Sequence, residues 1–506
     1  MKLIKILPDK IQIKTDEFEF TGVRINDLIK ITDGEVSLVT MVASMTDSEC
    51  AEPMGELDNI EPLKSVKVIE CSIIGSLKNG KFSKAVDIYP ITDIIAEPIG
   101  SEEFSSMLVT HVSGCFFLGE YVNYGCPAWI DGNKFFQRHS CIVGNTGSGK
   151  SETVARILEE TSKLPGCNII TFDIHGEYSK LSYVDNIIIG KNTPFPIWMF
   201  GFSDMVTNIL KIREETATVT MSALRKAYRK ACMDGNESKP VYFSFDQMIN
   251  ELDLLNNQMV PGTRSALVKG DYNGKLSNVV NTMKAIRNNV RYSFLFSDVD
   301  ETYLYDIAER IMGSHKPVKN IDLSGIPHDI AIQIIGVITK LVYGIQVESV
   351  ERRPITLVCD EAHVYIPNNL QLSASERRMV EIFENIAKEG RKFGFTLFVA
   401  SQRPSELNKT IMAQCANFIV SKLNNENDKT MIKAMMPDGS ENIIDTTTMF
   451  MPGDVMVIGD ASQIPMKIHV NLAKERPQSR TIDFWDEWSK EHNTDIRSSL
   501  MRYMEN

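Results

Sequence analysis

The stretch Cys141-Ile-Val-Gly144-Asn-Thr-Gly-Ser-Gly149-Lys150-Ser151 constrains this chain more than any other. It fits the pattern G-x-x-x-x-G-K-[ST] at every fixed position, and its flanks fit as well. The apolar run 141–143 reads as a buried strand, and residues 152–164 place Val154, Ile157, Leu158 and Leu164 on one face of a helix. Strand, glycine loop and helix in that order cradle a triphosphate. The glycines let backbone N–H groups turn inward, at a helix N-terminus whose dipole favours anions. Gly144, Asn145, Thr146, Gly147, Ser148, Gly149, Lys150, Ser151 and Glu152 are therefore the candidate nucleotide-binding residues. Lys150 can reach the β- and γ-phosphates, and the Ser151 hydroxyl can ligate Mg²⁺, so ATP and Mg²⁺ are the expected cofactors. The dinucleotide pattern G-x-G-x-x-G fails, because Glu152 stands where its third glycine is needed.

A second apolar run, Ile355-Thr-Leu-Val-Cys-Asp360-Glu361, ends in two adjacent carboxylates. Buried parallel strands read this way. Asp360 is placed to hold the Mg²⁺ shell, and Glu361 to orient or deprotonate an attacking water. The run 396–400 ends in Ser401-Gln-Arg-Pro404, where Gln402 is the candidate sensor of the γ-phosphate. Asn168-Ile-Ile-Thr-Phe-Asp173 is a further strand, continued by Ile-His-Gly-Glu-Tyr178. Polar residues at such a strand end face a ligand crevice or a subunit interface. His139, just before the P-loop strand, reads as a packing or hydrogen-bonding residue.

Composition bounds the rest. The 506 residues allow two to four domains, and 24% charged with 43% apolar residues is a soluble globular balance. No run approaches roughly 18 uninterrupted apolar residues, so no membrane span is expected. Nine scattered cysteines without a C-x-x-C pair imply reduced thiols and a cytoplasmic protein. A net charge of −12 argues against a general nucleic-acid coat protein, yet a DNA motor needs only local positive charge.

The expected organisation is α/β. Residues 1–110 form an N-terminal β-barrel of short strands, including 35–43 and 65–74 and an Asn79-Gly80 hairpin turn. Residues 111–199 open a RecA-like P-loop core, with edge strands at 116–119 and 127–131. A helical insertion follows at 200–310, the core resumes at 311–475, and 476–506 is a packing tail. The insertion carries Lys211, Arg213, Arg225, Lys226, Arg229 and Lys230, then Lys284, Arg287 and Arg291. They meet either solvent or phosphates.

Asp360-Glu-Ala-His363 spells the box of two-lobed helicases, but only 143 residues follow His363 (506 minus 363), and no second-lobe arginine motif is among them. That match is read as coincidence. The chain resembles instead the HerA branch of the HerA–FtsK superfamily. The resemblance rests on Arg138-His139 before the P-loop, Asp173-Ile-His-Gly-Glu-Tyr178, Asp360-Glu-Ala-His363, Glu389-Gly-Arg-Lys-Phe-Gly394 and Ser401-Gln-Arg-Pro404. Ile174 departs from that family's usual proline. The resemblance implies a RecA-like (ASCE) core behind a HAS-type barrel. It also implies a homohexameric ATPase that moves on double-stranded DNA, with a separate nuclease or sirtuin-like effector, in end processing or antiphage defence. Arg391 is then the leading candidate for an arginine given to the neighbouring subunit's γ-phosphate, and Arg403 the second. Two other readings stay open: an ATP-switched ring scaffold that holds an effector, and a protein-moving secretion ATPase.

Overall fold

The computed structural model describes residues 1–506 apart from 8–9, 35, 51–63, 79–80, 87–88, 91–93, 95, 109–113, 214–216, 233–236, 238, 262–265, 314–315, 369–371, 373, 437–440, 479–483, 491–494 and 506. The chain packs as two units. The first holds Met1–Leu164, Glu361–His363 and Thr396–Arg476; the second holds Pro165–Asp360, Val364–Phe395 and Pro477–Asn506.

The N-terminal strands are β1 (Lys2–Ile6), β2 (Lys10–Thr15), β3 (Leu28–Asp33), β4 (Val36–Cys50), β5 (Lys64–Lys78), β6 (Lys81–Ser83) and β7 (Ala96–Pro98). They form one antiparallel sheet in the order β1-β2-β5-β4-β3-β7, with β6 on β5. Alternation sets its faces: Ile11 and Ile13 of β2 and Ile29 and Ile31 of β3 share a core with Leu3, Leu38, Val42 and Ile69. Register shifts at Val39/Thr40 and Val42/Ser44 bend β4. The sheet curls so far that its ends meet, Ala96 N–H donating to the Met1 carbonyl at 3.2 Å. The expected Asn79-Gly80 turn and the boundary at 110 lie outside the described residues; Lys78 and Lys81 beside that turn are paired.

The chain continues through β8 (Cys115–Tyr121), β9 (Cys126–Asp131) and β10 (His139–Val143). It then enters the second unit with β11 (Ile169–Asp173), β12 (Val184–Ile188), a small hairpin of β13 (Met259–Pro261) and β14 (Leu267–Lys269), β15 (Val318–Asp322) and β16 (Ile355–Cys359). It returns with β17 (Phe395–Ser401), β18 (Cys415–Val420), β19 (Asp454–Gly459) and β20 (Lys467–Val470).

In the first unit the order is β17-β10-β18-β19-β20-β8-β9. Only β17 and β18 run parallel to β10, and β10 and β17 are buried at every residue, as their uniform apolar runs require. The His139 ring is buried too, and its Nδ1 accepts the Leu397 N–H at 3.0 Å, so it is the packing residue its position suggested. β9 is the edge strand expected at 127–131. β8 is not an edge, since it lies between β20 and β9.

The second unit has the all-parallel order β12-β15-β11-β16. Between β12 and β15 run the helices Thr218–Ala231, Phe245–Asn256, Ser277–Asn288 and Tyr303–Gly313, where an insertion was expected. The helix His328–Glu348 is long and apolar enough to cross a membrane by length and composition. Here Ile330, Ile334, Ile335 and Ile338 are buried, and Gly336 lies against Met379 of helix Ala374–Glu389. The tail forms a helix, Phe484–Trp488, that buries none of its side chains. Phe484, Trp485 and Trp488 are 60%, 80% and 73% exposed, so among the described residues this helix is not packed on a core.

Gly119 sits where β8 shifts register, and a Cβ there would lie 2.0 Å from the His469 carbonyl oxygen of β20. Gly119→Ala is expected to cost about 1–3 kcal/mol of stability through this overpacking, read as a lowered thermal midpoint.

Candidate active site

Strand β10 delivers the glycine loop to a parallel sheet edge. Its last residue, Val143, is in register with Ser401 of β17, so Gly144 and Gln402 leave the sheet side by side. The loop passes through the left-handed region at Gly147 (φ 74°) and Gly149 (φ 96°), which an L side chain would strain. Gly149 is the cap of helix Lys150–Ser162. At Gly144 a Cβ would come within 2.6 Å of Ser421 Cβ and 2.8 Å of Ser148 Oγ. Tight backbone approach, rather than a special φ, fixes that glycine. The helix ends before Leu164, which is 60% exposed; the buried face consists of Val154, Ile157 and Leu158.

Lys150 is buried, and its Nζ donates to the carbonyls of Gly144 at 2.8 Å and Asn145 at 3.1 Å. The ammonium is thus folded into its own loop, where a triphosphate would offer it stronger, charged acceptors. Ser148 Oγ and Ser421 Oγ, both beside Gly144, are buried without a hydrogen-bond partner among the described residues. Unspent hydroxyls around a glycine loop fit a phosphate ligand. Ser151 opens the helix, and Asp360 is buried directly after β16. Among the described residues no three His, Cys, Asp or Glu side chains cluster as a metal cage. Mg²⁺ bound through phosphates, water and one carboxylate needs no such cage, and the Ser151 hydroxyl and the Asp360 carboxylate are each of a type it accepts.

Glu361 is buried and has φ 45°, one of three non-glycine residues in the left-handed region among those described. Such a conformation costs roughly 1–3 kcal/mol and persists only where its surroundings enforce it. Two neighbours do so. Gln402 Nε2 donates to Glu361 Oε1, and His363 Nδ1 stands 3.3 Å from Glu361 Oε2. The same His363 nitrogen is 3.2 Å from Ser401 Oγ. Burial pushes His363 below the usual histidine range, against the pull of the Glu361 carboxylate. From the other side, Thr146 Oγ1 donates to Gln402 Oε1. The result is one polar chain from the glycine loop through Gln402 to Glu361.

Thr146 and Gln402 also line a cleft of ≈ 590 Å³ with Asn145, Arg403, Ser405, Glu406, Asn425 and Asp428. Arg403 is held there by Glu406 at 2.7 Å. Arg391 lies on an exposed 3₁₀ turn, Gly390–Phe393, with no ion pair among the described residues. Gln346 Nε2 ties that turn down by donating to the carbonyls of Phe393 at 2.8 Å and Arg353 at 2.9 Å.

The Asp173 motif is tied together by its own side chain and backbone. Its buried carboxylate accepts the N–H groups of Glu177 at 2.9 Å and Tyr178 at 3.0 Å, and the Asn320 amide at 3.0 Å. Burial raises its pKa despite these bonds. Asp173 closes its own loop; only His175 of the motif is exposed.

His363 entered the sequence reading only as part of a family mark, with no role of its own. Gly453 was missed. Its N–H donates to Ser148 O at 3.1 Å, and a Cβ on Gly149 would lie 3.0 Å from its nitrogen. Next to it Asp454 accepts from Lys467 at 2.6 Å and bonds His469 Nδ1 at 2.8 Å.

Residues 116–342 match the family model described as "Helicase HerA, central domain". Over those residues the chain is similar to the HerA central domain. A probable helicase of Methanocaldococcus jannaschii is 23% identical over 95% of this chain and 93% of its own. A DNA double-strand break repair helicase HerA of Sulfurisphaera tokodaii is 25% identical over 90% and 89%. Among solved structures, VirB4 of Thermoanaerobacter pseudethanolicus superposes with a TM-score of 0.48 at 13% identity, covering 72% of this chain and 97% of that one. The family-model match stops before Asp360, Glu361 and Gln402.

Two measurements probe this geometry. Gly144→Ala should weaken binding of a fluorescent ATP analogue by about tenfold or more, since its Cβ displaces Ser148 and Ser421 (a 1.4 kcal/mol loss is a factor of ten). Burial would raise the Asp454 pKa, but the bonds from Lys467, His469 and the Met451 N–H outweigh it and hold the carboxyl below its usual range. A depressed carboxyl pKa stabilises the fold above the unfolded value and loses that contribution as pH falls through the folded one. Asp454→Asn should therefore lower the thermal midpoint at pH 7, with the gap to wild type closing below about pH 4.

Proposed function

We propose that this chain is an ATP-hydrolysing motor that assembles as a homohexamer and moves on double-stranded DNA. The observation that carries the reading is the chain Thr146–Gln402–Glu361, which joins the phosphate loop to a buried carboxylate. In this scheme the loop and Lys150 bind the β- and γ-phosphates of ATP. Ser151 and Asp360 hold Mg²⁺, whose charge neutralises the phosphate oxygens. Glu361 accepts a proton from the attacking water as its oxygen bonds to the γ-phosphorus and the bond to ADP breaks. Gln402 acts as the γ-phosphate sensor in this scheme, an entering phosphate competing for the amide that Glu361 and Thr146 now hold.

Arg391, exposed and without an ion pair among the described residues, is the arginine offered to the neighbouring subunit, because Arg403 is engaged by Glu406. The curled N-terminal sheet closes as a small barrel. Relatives named as double-strand break repair helicases support DNA as the track, and a separate nuclease or sirtuin-like effector does the cutting or signalling, in end processing or antiphage defence within the cytoplasm.

Glu361→Gln should still bind ATP, with hydrolysis slowed by about 10²–10⁴. The deciding measurement is the ATPase rate with and without duplex DNA, on wild type, on Arg391→Ala, and on rings doped with Glu361→Gln. DNA stimulation, loss in Arg391→Ala and inhibition beyond the doped fraction are the expected results. A slow, DNA-indifferent rate that doping reduces only in proportion would overturn the motor in favour of an ATP-switched scaffold.

A further inference from the structure

Helix Thr218–Ala231 has two unlike faces. Met221, Ala223, Leu224, Ala227 and Tyr228 are buried, while Arg225, Lys226, Arg229 and Lys230 line an open cleft of ≈ 620 Å³ with Ser222 and Tyr272. Two carboxylates answer these cations. Glu237 pairs with Arg225 at 3.1 Å and with Arg229 at 3.8 Å, and Glu251 pairs with Lys230 at 2.6 Å. Among the described residues, four cations face two carboxylates, on a chain whose net charge is −12. Lys226 meets no carboxylate there; its Nζ lies 5.6 Å from the Tyr272 ring centroid, and the Tyr272 hydroxyl is 2.9 Å from Ser222 Oγ.

The neighbouring basic helix differs. On Ser277–Asn288, Lys284 pairs with Asp253 and Arg287 with Asp246, one carboxylate for each cation. That helix spends its charge inside the fold. The first one keeps an excess facing out.

We propose that the face of Thr218–Ala231 bearing Arg225, Lys226, Arg229 and Lys230 is a surface for the phosphate backbone of duplex DNA. The proposal rests on the reading of this chain as a DNA motor and names where the track is held. Arginine, lysine, serine and tyrosine side chains are those that contact phosphates. The cations recur once per helical turn, about 5.4 Å, so the two turns face roughly three phosphates of a strand with a rise of about 3.4 Å. Among the described residues the lining is cationic and hydroxyl-bearing, with Met221 buried, which fits a phosphate backbone.

The test is anisotropy of a fluorescent duplex bound to the full chain, across a salt series. It compares wild type, Lys226→Gln/Arg229→Gln, and Lys284→Gln/Arg287→Gln, each first matched to wild type by thermal unfolding. Losing two phosphate contacts should flatten the slope of log K against log salt by about 1.8 and weaken binding about tenfold near 0.1 M salt, with no change in the second variant. If the double variant misfolds, Lys226→Gln alone should remove about 0.9 of slope. A stripe variant that binds like wild type overturns this proposal and leaves the motor standing. A wild type that binds no duplex in any nucleotide state sinks the motor reading, and this surface with it. Loss of binding to polyglutamate with an unchanged duplex slope would assign the stripe to an acidic protein and also overturn the proposal.

Discussion

A buried carboxylate in a left-handed turn is the constraint on which the first unit's site depends. Glu361 is costly twice over, in backbone conformation and in desolvated charge. The Gln402 amide and the His363 ring offset that cost, and each is held by something else: Gln402 by Thr146, His363 by Ser401. These partners meet because Val143 and Ser401 are paired in register on adjacent parallel strands. A slip of one residue between β10 and β17 would turn every side chain of one strand to the opposite face and part the loop from the sensor.

The glycine loop, the buried strands around it and the carboxylate pair Asp360-Glu361 were legible in the sequence because they depend on local rules. A period, a turn or a helix start can be read within a dozen residues. What failed to be legible depends on partners far along the chain. Asp173 looked like a ligand-facing acid because its strand end is where such acids sit; only Asn320 and the N–H groups of Glu177 and Tyr178 show that its oxygens are used. Leu164 had the right spacing, but its helix stops at Ser162. The tail's aromatic residues promised burial by composition, and the helix they form offers none. His363 was read only as a letter of a motif, whereas its contacts with Glu361 and Ser401 are spatial facts.

The same distinction governs the insertion. Its two basic helices look alike as strings, each with cations at helical spacing. Their difference lies in which carboxylates face them: Asp246 and Asp253 complete one account, while Glu237 and Glu251 leave the other in surplus. Charge counted along a sequence says little about charge presented by a surface.

The contact between Gly149 and Gly453 changes what the glycine-loop pattern means here. Written as a regular expression, the pattern is eight contiguous letters. Its steric requirement extends to a further position, because the backbone at Gly453 fills the space a side chain on Gly149 would claim, and its N–H holds the Ser148 carbonyl. Gly453 itself has φ 88°, which favours glycine for a separate reason. The loop is therefore a two-part device whose second half no local motif search can see, and a substitution at 453 should be classed with those in the loop.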